Sequence, residues 1–155
     1  MVNKAAPPLL RQDRTLLALD IVLDVAFHVG RGAEVTGASD IADRLGAARR
    51  GIEPLLQSLS RADILDSIRG PRGGYRLARA ARDLTLLEIM EAVIEDEGEA
   101  PPAGKLAAAV TGKLWRELDG VLREKLAGVT IAELLRRAAA AGLRRPVSEP
   151  LDFVI

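Results

Sequence analysis

The stretch "SIRGPRGGYRLAR", residues 67–79, interrupts a chain whose apolar residues otherwise recur at helical spacing. Before it, "DILDSI" is rich in β-branched and apolar residues. After the glycines, "GYRLA" alternates apolar and polar positions. Together they read as a β-hairpin with a long tip containing Gly70, Pro71, Gly73 and Gly74. A loop that only had to turn would need glycine and an asparagine or aspartate. This one sets Arg69 and Arg72 on either side of Pro71, with Arg76 and Arg79 following.

The rest of the pattern is helical. "TLLALDIVLDVAFHV" places Leu16, Leu19, Leu23, Ala26 and Phe27 at helical spacing, predicting a first helix over 13–29. Ser39 is a suitable N-cap for a short helix, "DIADRL", which Gly46 ends. "GIEPLLQSLSRA" is a third helix, with Ile52, Leu55, Leu56 and Leu59 on its inner face. After the hairpin, Thr85 and Glu88 form a capping box that opens a helix ending near Glu95. "DEGEAPPAG" then breaks the chain. From Lys105 to Ala127, Leu106, Val110, Leu114, Leu118, Leu122 and Leu126 repeat every four residues, a stripe along one long helix beside Trp115. Thr130 and Glu133 suggest a second capping box, whose helix runs to Gly142.

Charge sharpens the reading. The net charge is zero, but Ile41 to Arg82 holds nine basic residues (44, 49, 50, 61, 69, 72, 76, 79, 82) against four acidic ones. Asp83 to Gly104 holds seven acidic residues and no basic one. A basic block followed by an acidic one argues for local affinity for a polyanion. The chain of 155 residues contains no cysteine, which removes disulfides, thiolate metal sites and redox thiols. The single His28, in an apolar run, reads as a helix-end or half-buried residue and not as a metal ligand. No signal peptide and no apolar run of membrane-spanning length appears, so a cytoplasmic protein with no membrane partner is expected. One histidine, no phosphate-cradling glycine loop and no paired carboxylates argue against an enzyme.

Three helices followed by a basic hairpin is the order of a winged helix-turn-helix. The turn provides a check. Ala42 lets the helices approach, Gly46 takes a positive φ, and Ile52 plugs their interface. In such a fold the third helix enters the major groove and the wing reaches the neighbouring backbone or minor groove. The arginines of the wing then meet phosphates, and Tyr75 packs its ring at the wing base. Candidate DNA contacts are Ser39, Arg49, Arg50, Glu53, Gln57, Arg69, Arg72 and Tyr75. Ser39 doubles as a cap and phosphate contact, and Glu53 is a candidate acceptor from cytosine. The stripe Leu106, Val110, Leu114, Leu118, Leu122 and Leu126 is the candidate dimer interface, with packing onto the winged helix as its alternative. Trp115 would lie between paired helices or against the first helix.

"SIRGPRGGYRLAR", "LDVAFH", "IADRLG", "IEPLLQSL" and "LTLLEIMEAV" resemble the Rrf-two family of bacterial transcription regulators, of the IscR, NsrR and CymR type. So does "LWRELDGVLREKLAGVTIAELL". The resemblance spans roughly residues 15–137 and implies a homodimer on palindromic operators. Many such proteins carry an iron–sulfur cluster on three cysteines after the fourth helix. Here that place reads "EDEGEAPPAGKLAAAV", with no thiolate, so no cofactor is expected. Other departures are Leu16-Leu17-Ala18 for the family's Arg-Tyr-Ala, Ala48 for a capping Ser or Thr, and Gly51 for an aromatic. Pro54 follows Glu53, so either the regular recognition helix begins near Glu53 or it is kinked.

The expected fold is mainly α with one small β-hairpin. A winged helix-turn-helix domain occupies 10–95, and an acidic Pro-rich loop 96–104. Dimerisation helices follow at 105–142, with an irregular tail at 143–155. The expected function is sequence-specific, DNA-binding transcriptional regulation, as a repressor, by a cluster-free homodimer on double-stranded DNA. An unidentified small-molecule effector is an open partner. The competing reading is a winged-helix protein-interaction module that has lost DNA binding.

Overall fold

The computed structural model describes residue 10 and residues 13–29, 34–94 and 103–146. Helix α1, Arg14–His28, starts where the Asp13 carboxylate accepts from the Thr15 amide at 3.1 Å. Its buried face is Ala18, Ile21, Val22, Val25 and Ala26. This differs from the predicted face: Leu16 is exposed, and Leu19, Leu23 and Phe27 are only half-buried. The helix is apolar nearly all round, so spacing alone does not select a face. Being central, with α-helices on several sides, it turns its small and branched residues to the tightest packing.

Helix α2 spans Ala38–Leu45 and α3 spans Arg49–Arg61. The predicted cap is corrected: Gly37 is the N-cap, and Ser39 lies exposed inside the first turn. The cause is the preceding residue. Thr36 exchanges two backbone hydrogen bonds with Tyr75 (3.0 and 2.8 Å), and the helix begins immediately after it. Gly74 permits that approach, because a Cβ there would lie 2.5 Å from the Thr36 carbonyl oxygen. The turn between α2 and α3 forms as expected, with Gly46 at φ 62 and Ala42 and Ile52 buried. Helix α3 is regular from Arg49, so the late start near Glu53 does not occur. Pro54 stands inside it on the exposed face, with no N–H to give the Arg50 carbonyl.

Strands β1, Leu65–Ile68, and β2, Gly74–Leu77, pair antiparallel with Asp66 opposite Arg76 and Ser67 opposite Tyr75. A 3-10 turn at Ala81–Asp83 leads to α4, Leu86–Val93. The first capping box is complete: the Glu88 amide donates to Thr85 Oγ1 and the Thr85 amide to Glu88 Oε2. The amide of Thr85, and then Arg79, hold the Glu88 carboxyl below its usual range. Helix α4 is capped at Ile94, and most of the acidic Pro-rich loop lies outside the described residues, as does the tail beyond 146.

The long helix opens with a π turn at Ala107–Thr111 and continues as α5, Gly112–Ala127. Helix α6, Ile131–Ala140, then returns to the core and buries Ile131 completely. Two strand-like bonds hold it, Leu86 amide to Val129 carbonyl and Ile131 amide to Leu84 carbonyl, each 2.9 Å. Only half of the second capping box forms. Thr130 accepts from the Glu133 amide, but the Glu133 carboxylate turns to Arg136 and Arg137. Among the described residues no helix is long and apolar enough to cross a membrane.

One polar cluster ties these parts together. Asp24 of α1 is buried, and Arg44 of α2 grips it with Nε at 3.0 Å and Nη2 at 2.7 Å. The same Nη2 donates to Thr36 Oγ1 at 2.8 Å, the residue paired with the wing at Tyr75. His28, the last residue of α1, adds Nδ1 at 2.9 Å from the Asp24 carbonyl oxygen and 3.2 Å from its carboxylate. Removing Arg44 alone strands a buried carboxylate. Arg44→Ala should therefore lower stability toward the lower end of the ~3–5 kcal/mol typical of such losses, since solvent reaches the guanidinium. The double variant Asp24→Ala, Arg44→Ala should lose less than the sum of the singles in urea melts. Additive losses would show that the pair is not coupled.

Candidate nucleic-acid interface

The outer face of α3 carries Arg49, Arg50, Glu53 and Gln57, all exposed, while Ile52, Leu55, Leu56 and Leu59 fix the helix from inside. Arg49 Nε lies 3.1 Å from Glu53 Oε1, so two of the predicted base-reading side chains hold one another. Arg50 and Gln57 form no side-chain hydrogen bond or ion pair among the described residues. They are seven apart, which places them on one strip of the helix. Arg61, four residues beyond Gln57, continues that strip and is exposed. Sequence reasoning missed Arg61, although its spacing from Gln57 was the available signal.

Between α3 and the hairpin is a shallow depression of about 310 Å³ lined by Gln57, Ser60, Arg61, Ser67 and Tyr75. It brings two predicted contacts, Gln57 and Tyr75, to one place. The Ser60 hydroxyl is buried there without a hydrogen-bond partner among the described residues. Tyr75 packs against the core, as expected of a residue at the wing base. Ser39, on the first turn of α2, shares no wall with the depression.

At the wing tip the Gly73 amide donates to the Gly70 carbonyl at 3.0 Å, closing a turn over Pro71 and Arg72. Arg69 and Arg72 are exposed and, among the described residues, make no side-chain hydrogen bond or ion pair. Other members of the basic block are engaged within the chain. Arg44 holds Asp24, Arg49 holds Glu53, Arg76 reaches Asp66 at 2.8 Å, and Arg79 reaches Glu88 at 2.9 Å. The Asp24 hydrogen bond raises the Arg44 pKa above its ordinary value, and the two contacts to that carboxylate occupy the guanidinium within the fold. The basic block thus narrows to Arg50, Arg61, Arg69 and Arg72 on α3 and the wing, with Arg82 farther along the chain.

The apolar stripe divides. Leu106 is 80% exposed, and Val110, Leu114 and Leu118 are each more than half exposed. Leu122 and Leu126 are half-buried, at the end of α5 nearest α4. On an α-helix of 3.6 residues per turn, each four-residue step overshoots by about 40°, so the repeat winds around the helix instead of running straight. Trp115 is 74% exposed, which removes the alternative of packing against α1. With Val121 it widens the uncovered apolar surface.

A cluster held in the manner of the resembling family finds no donors here. The sequence has no cysteine, and among the described residues no three His, Asp or Glu side chains are grouped to hold a metal ion. The chemistry of the donor set does not fit an iron–sulfur cluster.

The Rrf2 family, described as iron-dependent transcriptional regulators, matches residues 12–137. The protein Rrf2 of Nitratidesulfovibrio vulgaris is 34% identical over 126 residues, covering 77% of this chain and 82% of that one. The regulator IscR of Photobacterium profundum is 32% identical over 124 residues, covering 77% and 71%. Among solved structures, T. potens IscR superposes with a TM-score of 0.71 at 25% identity, over 88% of this chain and 94% of that one. CymR, the global cysteine regulator of B. subtilis, superposes with a TM-score of 0.65 at 26% identity, over 83% and 98%. Three helices and a basic wing in this order, matched over most of the chain, lead to one conclusion: the chain belongs to the Rrf2 family of winged-helix, DNA-binding transcription regulators.

Proposed function

We propose that the protein is a sequence-specific repressor that binds its operator as a homodimer and works without an iron–sulfur cluster. The observation that carries this reading is the division among the arginines. Arg44, Arg76 and Arg79 are paired with carboxylates, while Arg50 on the recognition helix and Arg69 and Arg72 on the wing are exposed and have no partner among the described residues. Guanidiniums without a carboxylate partner break no ion pair when they turn toward phosphates or guanine edges. Arg50 and Gln57 are assigned to base edges, and Arg69, Arg72, Tyr75 and Ser39 to the backbone. Arg49 and Glu53 join the base readers once their mutual ion pair opens.

The exposed Leu106, Val110, Leu114 and Leu118 with Trp115 support pairing of the long helix with its copy, which would cover them. Leu122 and Leu126 contribute at its edge. Repression requires only occupancy of the operator. The absence of cysteine supports a signal other than a cluster.

A salt series on duplex DNA tests the reading. Arg69→Ala and Arg72→Ala should each weaken specific and random duplexes alike. Each should flatten the log–log salt slope by about 0.9 per phosphate contact, or about 1.8 per dimer. Arg50→Ala should instead cost about 1–3 kcal/mol on the selected operator and little on random DNA. An unchanged slope for the double wing variant would put the protein-interaction module ahead.

The Arg49–Glu53 pair is exposed, so opening it costs little. Glu53→Ala should therefore tighten random-duplex binding, by releasing Arg49, while broadening base preference at one position per half-site. Selection on random DNA reads both effects. Leu114→Glu with Leu118→Glu should give a folded monomer by light scattering, and a folded dimer would place the interface elsewhere.

A further inference from the structure

At the foot of the wing, away from its tip, lies a cavity of about 590 Å³. Strand β2 and the residues after it form one wall, through Arg76, Leu77, Arg79 and Arg82. The end of α1 and helix α6 face it through Val29 and Leu135, and Arg145 closes one side. Among the described residues every charged member of this wall is an arginine, and no carboxylate lines it. The remainder is alkyl, from alanine, valine and leucine side chains. Two of the four charges, on Arg76 and Arg79, are offset by carboxylates outside the wall, which leaves Arg82 and Arg145 to draw an anion into the partly enclosed hollow.

The guanidiniums differ in what they have left to give. Arg76 and Arg79 are paired with Asp66 and Glu88. Arg82 is the least engaged, with Asp83 no closer than 3.9 Å and its side chain 83% exposed. Arg145 uses Nη2 and Nε on the carbonyls of Ala26 and Phe27, at 2.5 and 3.4 Å. Those carbonyls end α1, so the negative end of the helix holds Arg145 in place, and its Nη1 makes no hydrogen bond among the described residues. Available donors therefore come from Arg82 and Arg145, beside the alkyl surface of Leu77 and Leu135.

We propose that this cavity is an effector site for a small organic carboxylate with an aliphatic body. Its carboxylate lies on Arg82 and Arg145, and its alkyl part against Leu77 and Leu135. An inorganic anion would leave the alkyl lining uncovered, and an uncharged aliphatic would leave Arg82 and Arg145 without a close counter-charge. Strand β2 is shared by the cavity and the wing, so a molecule spanning β2 and α6 changes how the wing is held. The effector role rests on the DNA-binding reading, while the binding site stands apart from it.

Calorimetric titration of the full chain with sodium octanoate, below its micellar concentration, tests the site, with octanol and inorganic phosphate as controls. Octanoate should bind saturably at one site per chain, and neither control should. Arg82→Ala and Arg145→Gln should each weaken octanoate about tenfold or more, the loss of one charge-assisted hydrogen bond. Absent saturation, unchanged affinity in both folded variants, or equal binding of phosphate would overturn the site. Anisotropy on labelled duplex should show octanoate shifting the DNA affinity about fivefold or more. Octanoate binding with unchanged DNA affinity would overturn the effector role. DNA binding without octanoate binding would remove this site and leave the regulator reading standing, and octanoate binding without DNA binding would do the reverse.

Discussion

The bidentate grip of Arg44 on Asp24 is the interaction on which the mutual placement of α1, α2 and the wing depends. A carboxylate buried on the central helix is costly unless its charge is met. Here it is met by a residue of α2 that also binds Thr36, and Thr36 is paired through its backbone with Tyr75 of the wing. Three elements, α1, α2 and the wing, thus share one charged centre. The apolar core of Ile21, Ile41, Ile52, Leu56 and Leu59 supplies the bulk of the burial without choosing directions. The polar cluster supplies direction.

Much of the fold was legible in the sequence because it rests on local chemistry. The capping box at Thr85, the left-handed Gly46, the inner face of α3 and the hairpin each follow from a few adjacent residues. What was not legible depends on residues far apart. The core face of α1 is chosen by neighbours on several sides, and the start of α2 by a bond from Thr36 to a residue of the wing. Glu133 shows the same limit at short range. Its spacing from Thr130 fits a capping box, yet two arginines on the next turn take the carboxylate.

For the candidate site, the sequence indicated which residues lie on α3 and the wing and not which of their charges are already paired. A count of basic residues treats Arg44 and Arg50 alike, although one is locked to a buried aspartate and the other is open to solvent. Pairing partners are set by tertiary contacts, so the sequence overstates the charge offered to a polyanion. It also left out Arg61, whose place beside Gln57 follows from helical spacing but whose approach to Tyr75 emerges only when the wing folds against α3.

The π turn at Ala107–Thr111 alters the geometry of the stripe it begins. A π turn takes more residues per revolution than an α turn, so a four-residue step falls short there instead of overshooting. The two errors have opposite sign and offset each other between Leu106 and Leu114. Gly112 guards this phase, since a Cβ there would lie 2.8 Å from the Ala107 carbonyl oxygen. A change that restored a regular helix over these five residues at constant chain length would keep every leucine and still swing Leu106 by roughly 90° away from its companions. The register of that one turn, and not the count of apolar residues, sets how far along the helix a continuous apolar seam extends.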